Sequence, residues 1–370
     1  MALYTMDKVL RKPDYYDKVI KTVITKTPFQ AIIGRGAKPI DWKQEVELEP
    51  EVDSYDLAAP EGGLFDRTKL GKRTNFVIEM QVQKFRSIKG WNVTVESEEM
   101  PSHTESKGEK AKARQMRLDA QELVKSIERT LSSDQEAVAR GTSDDTVART
   151  RGLMCWLKPW KSGQTAAQVH PVQPIDLRVV PRTGFEGDVE TDFTEEVLRQ
   201  ILTDTYLLQG DDTLHMTALV GAYLKAKMSD FLGQIKKTES IESALRLTQA
   251  ASEKKKQLIC DFFEYDNSML RVLTDNHLLA EADAETKKYS IPEKARWSGA
   301  FIRPEFWTVD PFIPLHNVDL PKEGDEISGY HMAALRLACR NPLAQFRVMH
   351  GADESSSSSS GSSSSSSSAA

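Results

Sequence analysis

The sequence predicts an α+β fold, because segments with the two-residue period of strands and segments with a helical period are sorted into separate blocks. Three observations carry this prediction: a strand-like ribbon within residues 31–90, one long amphipathic helix, and a run of apolar strands from Gln257 onward. This order is typical of an antiparallel sheet with its helices segregated from the strands.

The ribbon is the first element. Its outgoing arm, residues 40–48, alternates apolar and charged side chains, and its return arm, residues 76–83, has the same period of two. Residues 49–75 between them are rich in turn formers and charge. A lone two-stranded ribbon is at best marginally stable in water, so it must lie on another surface, and the sequence supplies no obvious local one. We therefore predict an arm that reaches a neighbouring subunit.

Charge is sorted into blocks along this part of the chain. The balance is +5 over residues 1–38, −8 over residues 39–66 and +6 over residues 67–90. Blocks of alternating sign suit head-to-tail docking, in which the acidic stretch of one copy meets the basic stretch of the next. The alternative is a solvated hairpin whose charges serve solubility and edge protection.

Candidate interface residues follow from the ribbon and its charges. Basic side chains after the tip are expected to pair with acidic ones on the outgoing arm. An aromatic residue in a Gly-rich turn is expected to dock in a pocket of a neighbour, with local collapse of the loop as the alternative. The candidates are Trp42, Glu45, Glu47, Glu49, Phe65, Arg67, Lys69, Lys72 and Arg73.

A long helix is predicted next, at residues 104–140. Its apolar residues recur at helical spacing and form one stripe. Ser106 and Glu109 fit a capping box, and Gly141 occupies the position of a C-terminal cap. The stripe does not keep a strict heptad, so a single helix lying across a sheet is expected rather than a coiled coil.

The rest of the chain has less regular apolar patterns. Helices are expected at 193–208 and 216–232, and strands at 91–95, 257–265, 269–279, 299–308, 327–340 and 344–349. The serine-rich tail, residues 353–370, is expected to be disordered.

Composition excludes several classes of protein. With 49 basic and 55 acidic residues the formal net charge is −6, which argues against a chain that grips nucleic acid non-specifically. No apolar run approaches the ~20 residues of a membrane span, and the first residues lack the apolar core of a signal peptide. The three widely spaced cysteines, Cys155, Cys260 and Cys339, indicate a reducing compartment rather than a disulfide framework.

No catalytic, cofactor-binding or metal-binding motif is present. None of the seven histidines pairs with another at metal-ligand spacing, and no Cys-x-x-Cys occurs. The segment Gly34-Arg35-Gly36 lacks the third glycine and the following helix of a phosphate loop. Cys155 could act as a nucleophile only if a histidine converged on it in space, and the alternative is a buried small hydrophobe.

Several residue strings, in this order, carry a resemblance to a known family. The strings are Thr27-Pro28-Phe29, Asp41-Trp42, 132–141, 149–153, 193–198, 218–225 and 302–309. On these strings the chain resembles the major capsid proteins of tailed bacteriophages with the Hong Kong 97-type shell fold, over residues 1 to about 350.

The resemblance implies a domain organisation. In such shells the extended loop overlies an adjacent subunit, as the ribbon alone suggested. The implied parts are an N-terminal arm at 1–30, an extended β-hairpin loop at 31–90, a peripheral domain at 91–190 with a spine helix at 104–140, an axial domain at 191–310, and a return to the peripheral domain at 311–352.

The resemblance also implies a function. The chain would self-assemble into pentamers and hexamers of an icosahedral head shell that encloses a double-stranded phage DNA genome without sequence-specific binding. It would be a virion component assembled in the host bacterial cytoplasm, with no enzymatic activity, no cofactor and no membrane contact. Its partners would be its own copies, a portal and, if assembly needs one, a separate scaffolding or decoration protein, because only about 30 residues precede the ribbon.

Two alternatives stay open at this point. An encapsulin-like nanocompartment shell would share the fold and enclose enzymes instead of DNA. A soluble hydrolase using Cys155 or a histidine would be a compact monomer or small oligomer.

Lys69 and Lys72 lie near the loop tip, but the sequence gives no sign of the Lys–Asn cross-link that some members of the family form.

Overall fold

The computed structural model describes residues 27–48, 76–95, 111–141, 147–209, 214–238, 262–265, 268–279, 281–282, 289–322 and 324–351. Most of the predicted N-terminal arm, the tip of the ribbon, the predicted capping box at Ser106 and the serine tail lie outside these residues. Across the described residues, none of the helices has both the length and the apolar character that a bilayer crossing demands.

The described residues form an α+β fold, as the sequence predicts. Three single turns of 3₁₀-helix, at Leu177–Val179, Pro304–Phe306 and Pro342–Ala344, accompany the longer elements. The α-helices are α1 (Pro28–Ile32), α2 (Ala111–Leu131), α3 (Leu153–Trp156), α4 (Ala166–Val169), α5 (Glu195–Gln209), α6 (Ala222–Thr238) and α7 (Glu293–Arg296). The strands are β1 (Gly34–Arg35), β2 (Lys43–Leu48), β3 (Phe76–Gln81), β4 (Gln83–Arg86), β5 (Trp91–Thr94), β6 (Phe185–Gly187), β7 (Leu214–Val220), β8 (Phe262–Tyr265), β9 (Ser268–Thr274), β10 (Glu281–Ala282), β11 (Tyr289–Ser290), β12 (Gly299–Ile302), β13 (Trp307–Asp319), β14 (Glu326–Cys339) and β15 (Phe346–His350).

The chain divides into two compact units. The first takes the described residues within Lys84–Ile127 and Ile313–Ala334, together with Thr27. The second takes those within Pro28–Gln83, Glu128–Phe312 and from Leu335 onward.

In the first unit the first part of α2 contacts the antiparallel pair β5 and β14, which belongs to a five-stranded sheet. Strand β5 pairs with the start of β14, from Thr94 opposite Glu326 to Trp91 opposite Gly329. The indole of Trp91 is buried against the backbone of Gly329, where an added Cβ would lie 2.3 Å from the ring. Glycine is required there because any side chain would displace the tryptophan.

Helix α2 lies on this sheet, as its apolar stripe predicts. Leu123 and Ile127 on the stripe are buried. Asp119, on the same helix, accepts a hydrogen bond from the amide of Gly90 at 3.0 Å, and its other oxygen lies 2.8 Å from Nδ1 of His331 on β14. The helix is therefore held to the strands by apolar packing and by a buried carboxylate.

The predicted C-terminal boundary of the long helix is wrong: α2 ends at Leu131, not at residue 140. The hydroxyl of Ser133 donates to the carbonyl of Thr130 at 2.7 Å and accepts from the amide of Gln135 at 3.2 Å. This local bonding competes with the helix, as serine side chains do. Residues 134–137 belong to no helix or strand, and a single bridge joins Val138 to Arg149, so Gly141 does not cap a helix.

The second unit contains a six-stranded sheet of order β6-β15-β12-β7-β9-β8. The core between this sheet and helices α5 and α6 includes Phe193, Leu198, Phe301 and Phe346, all fully buried. The stacked rings of Phe301 and Phe346, whose centroids are 4.5 Å apart, join neighbouring strands β12 and β15.

The helix predicted at residues 216–232 is wrong in its first part, because Leu214–Val220 forms strand β7. Every residue of β7 except His215 is buried, so the strand shows no alternation of apolar and polar residues. Helix α6 begins only at Ala222, after Gly221, where an added Cβ would lie 2.3 Å from the carbonyl oxygen of Arg296.

The end of the predicted N-terminal arm packs into the second unit. Residues 28–30 belong to α1, and Phe29 is fully buried with its ring 6.1 Å from that of Trp307. The amides of Phe29 and Gln30 donate to the two carboxylate oxygens of Glu128 at 2.7 and 3.2 Å. A buried aromatic ring and two backbone hydrogen bonds therefore attach this segment to the second unit.

Candidate assembly interface

The ribbon predicted from the sequence is present. Strands β2 and β3 pair antiparallel from Lys43 opposite Gln81 to Leu48 opposite Phe76. They form a two-stranded sheet of their own, which among the described residues joins no other strand. The outgoing arm starts as a strand at Lys43 rather than at residue 40.

The base of the return arm is buried within its own subunit. Ile78, Met80, Gln81 and Val82 are each at most 3% exposed. The prediction that the sequence offers this ribbon no local surface is therefore wrong for residues 78–82. An arm of this kind can be embedded in its own subunit at one end.

Trp42 marks the other side of the ribbon base. Its ring centroid lies 4.8 Å from that of Phe312, and the guanidinium of Arg140 lies 4.6 Å from its ring, a cation–π distance. Its carbonyl accepts a hydrogen bond from the amide of Val82 at 2.9 Å. The tryptophan is half-buried, while Ile40 beside it is fully exposed. One apolar edge of the ribbon base is thus left on the surface of the chain.

Polar contacts orient the same base. Nζ of Lys43 lies 2.7 Å from Oε1 of Glu79, and Oε2 of Glu79 accepts from Nε2 of Gln173 at 2.8 Å. Both side chains of the ion pair are more than a third exposed, so the pair contributes little stability. The hydrogen bond from Gln173 joins the ribbon base to another segment of the same unit.

Most of the predicted interface residues lie beyond what the structure describes. The register places Glu45 opposite Glu79 and Glu47 opposite Val77, but their side chains are outside the described set. The assignment of Trp42 and of these two glutamates to an interface stays a prediction. Glu49, Phe65, Arg67, Lys69, Lys72 and Arg73 lie outside the described residues.

One cluster that the sequence spacing does not reveal lies in the second unit. A histidine does converge on Cys155: its Sγ lies 3.7 Å from Nδ1 of His170, which lies 3.3 Å from Oε1 of Glu136. Burial raises the pKa of the Cys155 thiol well above its ordinary value, and burial lowers the pKa of His170. Burial also acts to raise the pKa of Glu136, but the hydrogen bond and charge of His170 outweigh it and hold that pKa below its usual range.

This cluster does not have the electrostatics of a catalytic cysteine. A nucleophilic cysteine is a partly exposed thiolate whose pKa is lowered by its surroundings. Cys155 is 1% exposed and its pKa is displaced in the opposite direction. No signal in the sequence points to the cluster, because its three members come from separate segments joined only by the tertiary fold.

The arrangement of strands and helices is that of a virus-shell subunit with the Hong Kong 97-type fold. Solved structures similar to this chain include a cyanophage A-1(L) capsid asymmetric unit, with a TM-score of 0.56, 12% identity, and coverage of 94% of this chain and 99% of that chain. Another is the asymmetric unit of the bacteriophage PhiM1 mature capsid, with a TM-score of 0.53, 10% identity and 93% coverage of each chain. A third is the capsid of a native GTA particle, with a TM-score of 0.51, 11% identity, and coverage of 95% and 98%. At such identities the likeness establishes the fold alone.

The family is established by sequence. A family model described as SU10 major capsid protein matches residues 3–351, so the chain belongs to the SU10 major capsid protein family. It is a major capsid protein of a tailed phage, a virion component that forms the icosahedral head shell. The resemblance read from its residue strings is confirmed. No curated protein matches the chain.

Proposed function

We propose that copies of this chain form the pentamers and hexamers of the head shell, each with its ribbon lying over an adjacent subunit. The observation that carries the proposal is that β2 and β3 make a two-stranded sheet that joins no other strand among the described residues. Such a ribbon is marginal in water unless another surface covers it. A sister subunit in a closed shell supplies that surface at every position.

The charge blocks assign the pairing in this proposal. The acidic group Glu45, Glu47 and Glu49 of one copy faces a basic group of the next, while Trp42 and Phe65 supply apolar contact. The basic group consists of Arg67, Lys69, Lys72 and Arg73. Complementary charge of this kind sets register and partner choice more than it sets affinity.

Reversal of the basic group to glutamate tests the pairing. Assembly is expected to fail because acidic stretches then oppose each other, while the subunit keeps its fold. Electron microscopy and sedimentation velocity report on shells, and circular dichroism and thermal unfolding report on the fold.

A compensating variant provides the matched control. Replacing the three glutamates by lysine in the reversed chain restores opposite charges and is expected to restore shells. Intact shells from the reversed chain alone would refute the pairing. So would a failure of the charge-swapped chain to assemble any better than the reversed one.

The domain assignment of the shell fold belongs to the same proposal. Helix α2 is the spine helix of the peripheral domain, which takes residues 91–190 and 311–352, and residues 191–310 form the axial domain around the symmetry axis. Residues 1–30 are the N-terminal arm and residues 31–90 the extended loop. The resemblance supports this mapping, together with the contacts of α2 to strands β5 and β14 through Gln115 and Asp119.

The contents and partners of the shell follow from its class. The shell encloses double-stranded phage DNA without reading its sequence, in line with the net charge of −6. A portal, and a separate scaffolding or decoration protein where assembly needs one, complete the head in the host cytoplasm. Nuclease-resistant DNA in purified particles would support this, and particles that hold protein cargo instead would favour a nanocompartment.

The chain acts as structure rather than as an enzyme. Its family and fold are those of structural capsid proteins. The hydrolase alternative would rely on Cys155 or a histidine. Cys155 is buried with its pKa raised, whereas a catalytic cysteine is a partly exposed thiolate with a lowered pKa.

A further inference from the structure

Backbone hydrogen bonds join the segments that carry Glu136 and Cys155, two members of the cluster of Glu136, Cys155 and His170. The amide of Gly152 donates to the carbonyl of Gln135 at 2.9 Å, and the amide of Met154 donates to that of Ser133 at 3.2 Å, so α3 is attached directly to the segment that carries Glu136. An added Cβ at Gly152 would lie 2.2 Å from the carbonyl oxygen of Ser133. This close approach of two backbones needs glycine.

The third member comes from the end of the short helix α4. His170 follows that helix, and its amide donates to the carbonyl of Ala166 at 2.9 Å. The helix begins with a capping box between Thr165 and Gln168. Both ends of α4 are therefore held by hydrogen bonds, and the side chain of His170 is fully buried.

Two of the three separations between the candidate ligand atoms match the dimensions of a metal site. One atom from each residue lies within 4.8 Å of the other two. Tetrahedral zinc with sulfur, nitrogen and oxygen ligands needs sulfur–nitrogen and nitrogen–oxygen separations of about 3.6 and about 3.3 Å, from its bond lengths. The corresponding separations are 3.7 and 3.3 Å. A mixed thiolate, imidazole and carboxylate set suits a borderline-soft divalent cation.

Unpaired buried polar atoms surround the cluster. Among the residues that the structure describes, Oε2 of Glu136, Nε2 of His170, and both Nε and Nη1 of Arg151 find no hydrogen-bond partner. His170 is fully buried, Arg151 is 2% exposed, and the charge of Arg151 acts on both Cys155 and Glu136. Buried polar groups are normally satisfied, so this concentration indicates a group that belongs at the site.

We propose that Glu136, Cys155 and His170 bind one zinc-like divalent cation, which ties the segment after α2 to helices α3 and α4. On binding, the S–H bond of Cys155 breaks, its proton leaves to solvent and its sulfur forms a bond to the metal. The cation, thiolate and carboxylate then sum to zero charge, so Arg151 faces a neutral site. The thiolate becomes an acceptor for the unpaired Arg151 donors. This site is independent of the shell contacts proposed above.

The test uses the full chain, expressed in minimal medium with cobalt as the only added transition metal, because a buried site fills as the chain folds. The expected results are close to one cobalt per chain after gel filtration and a thiolate-to-cobalt charge-transfer band in the near ultraviolet. In Cys155→Ala the band is expected to vanish and the retained metal to fall about tenfold or more.

Cys339→Ala is the matched control, because Cys339 is also a buried free cysteine but belongs to no group of potential metal ligands among the described residues. It is expected to keep both the metal and the band. Wild-type chain without the band would overturn the proposal even if Cys155→Ala fails to fold. Equal metal in Cys155→Ala, or a band lost in Cys339→Ala instead, would overturn it as well.

Discussion

Glu128, in the last turn of α2, is a fully buried carboxylate that anchors a separate segment of chain. It accepts the amides of Phe29 and Gln30 at the start of α1. Burial raises its pKa from 4.5 to about 7, assisted by the charge of Asp275 and opposed by these two backbone hydrogen bonds. Burial also raises the pKa of Asp275 to about 6, although the amide of His277 and the hydroxyl of Ser132 favour its charged form.

Stability is therefore expected to fall as pH rises. The folded chain keeps a proton on Glu128 between pH 4.5 and about 7 that the unfolded chain has lost. The stabilising contribution is complete below 4.5 and is lost as pH rises through about 7, with a total on the order of 3 kcal/mol. Glu128→Gln should reduce the drop in urea midpoint between pH 5 and pH 8, measured on capsomers in one assembly state.

The exposed Glu196→Gln is the control for that measurement and should leave the pH dependence unchanged. A Glu128→Gln variant with the full wild-type drop would show that Glu128 does not carry it. Asp275 remains in the variant, so part of the drop is expected to persist.

The burial of a single residue could be predicted from the sequence only where the spacing of apolar residues along the chain determines it. The alternation that placed Ile78 and Met80 on one face of the return arm depends on local spacing, and both are buried. The convergence of Cys155 and His170 with Glu136 depends on how α3 and α4 pack. No spacing rule contains that information.

At the scale of elements, α2 depends on a few contacts to its sheet. The Asp119 carboxylate satisfies the amide of Gly90 and faces His331 on β14, and it is 4% exposed. Glu122, one turn away, makes an exposed ion pair with Lys89 at 3.9 Å. Two acidic residues on one helix therefore differ in burial and in partners.

Asp119→Ala should destabilise the subunit by about 3 kcal/mol, because it leaves the Gly90 amide and the His331 ring nitrogen without their acceptor. Glu122→Ala should change stability by less than about 0.5 kcal/mol. Chemical denaturation of both variants measures the difference. Equal effects would mean that the buried carboxylate does not hold the helix to the sheet.

Elements were predictable where their periodicity was clean. The apolar stripe of α2 and the alternation of the ribbon gave both elements, whereas the helix boundary near Leu131 was set by bonds of the Ser133 hydroxyl. Strand β13 was not predicted beyond residue 308, because Pro311 and Pro314 are unusual in a strand. Strand β7 was mistaken for helix because burial on both faces removes the period of two.

For the whole molecule, the proposed assembly depends on which surface covers the ribbon. Its base is embedded through residues 78–82 and held by Trp42, Lys43 and Glu79. Its strands join no other sheet among the residues the structure describes. The sequence predicted the ribbon and its charge blocks, but the position of its base depends on contacts with Phe312 and Gln173, far along the chain, which no local pattern encodes.

A cryo-electron microscopy map of the assembled particle would show which surface covers the ribbon. Density for residues 43–48 and 76–81 is expected to continue into a loop that lies on an adjacent subunit, with Arg67, Lys69, Lys72 and Arg73 against acidic side chains of that neighbour. A map in which the ribbon and its tip contact only their own chain would contradict this expectation.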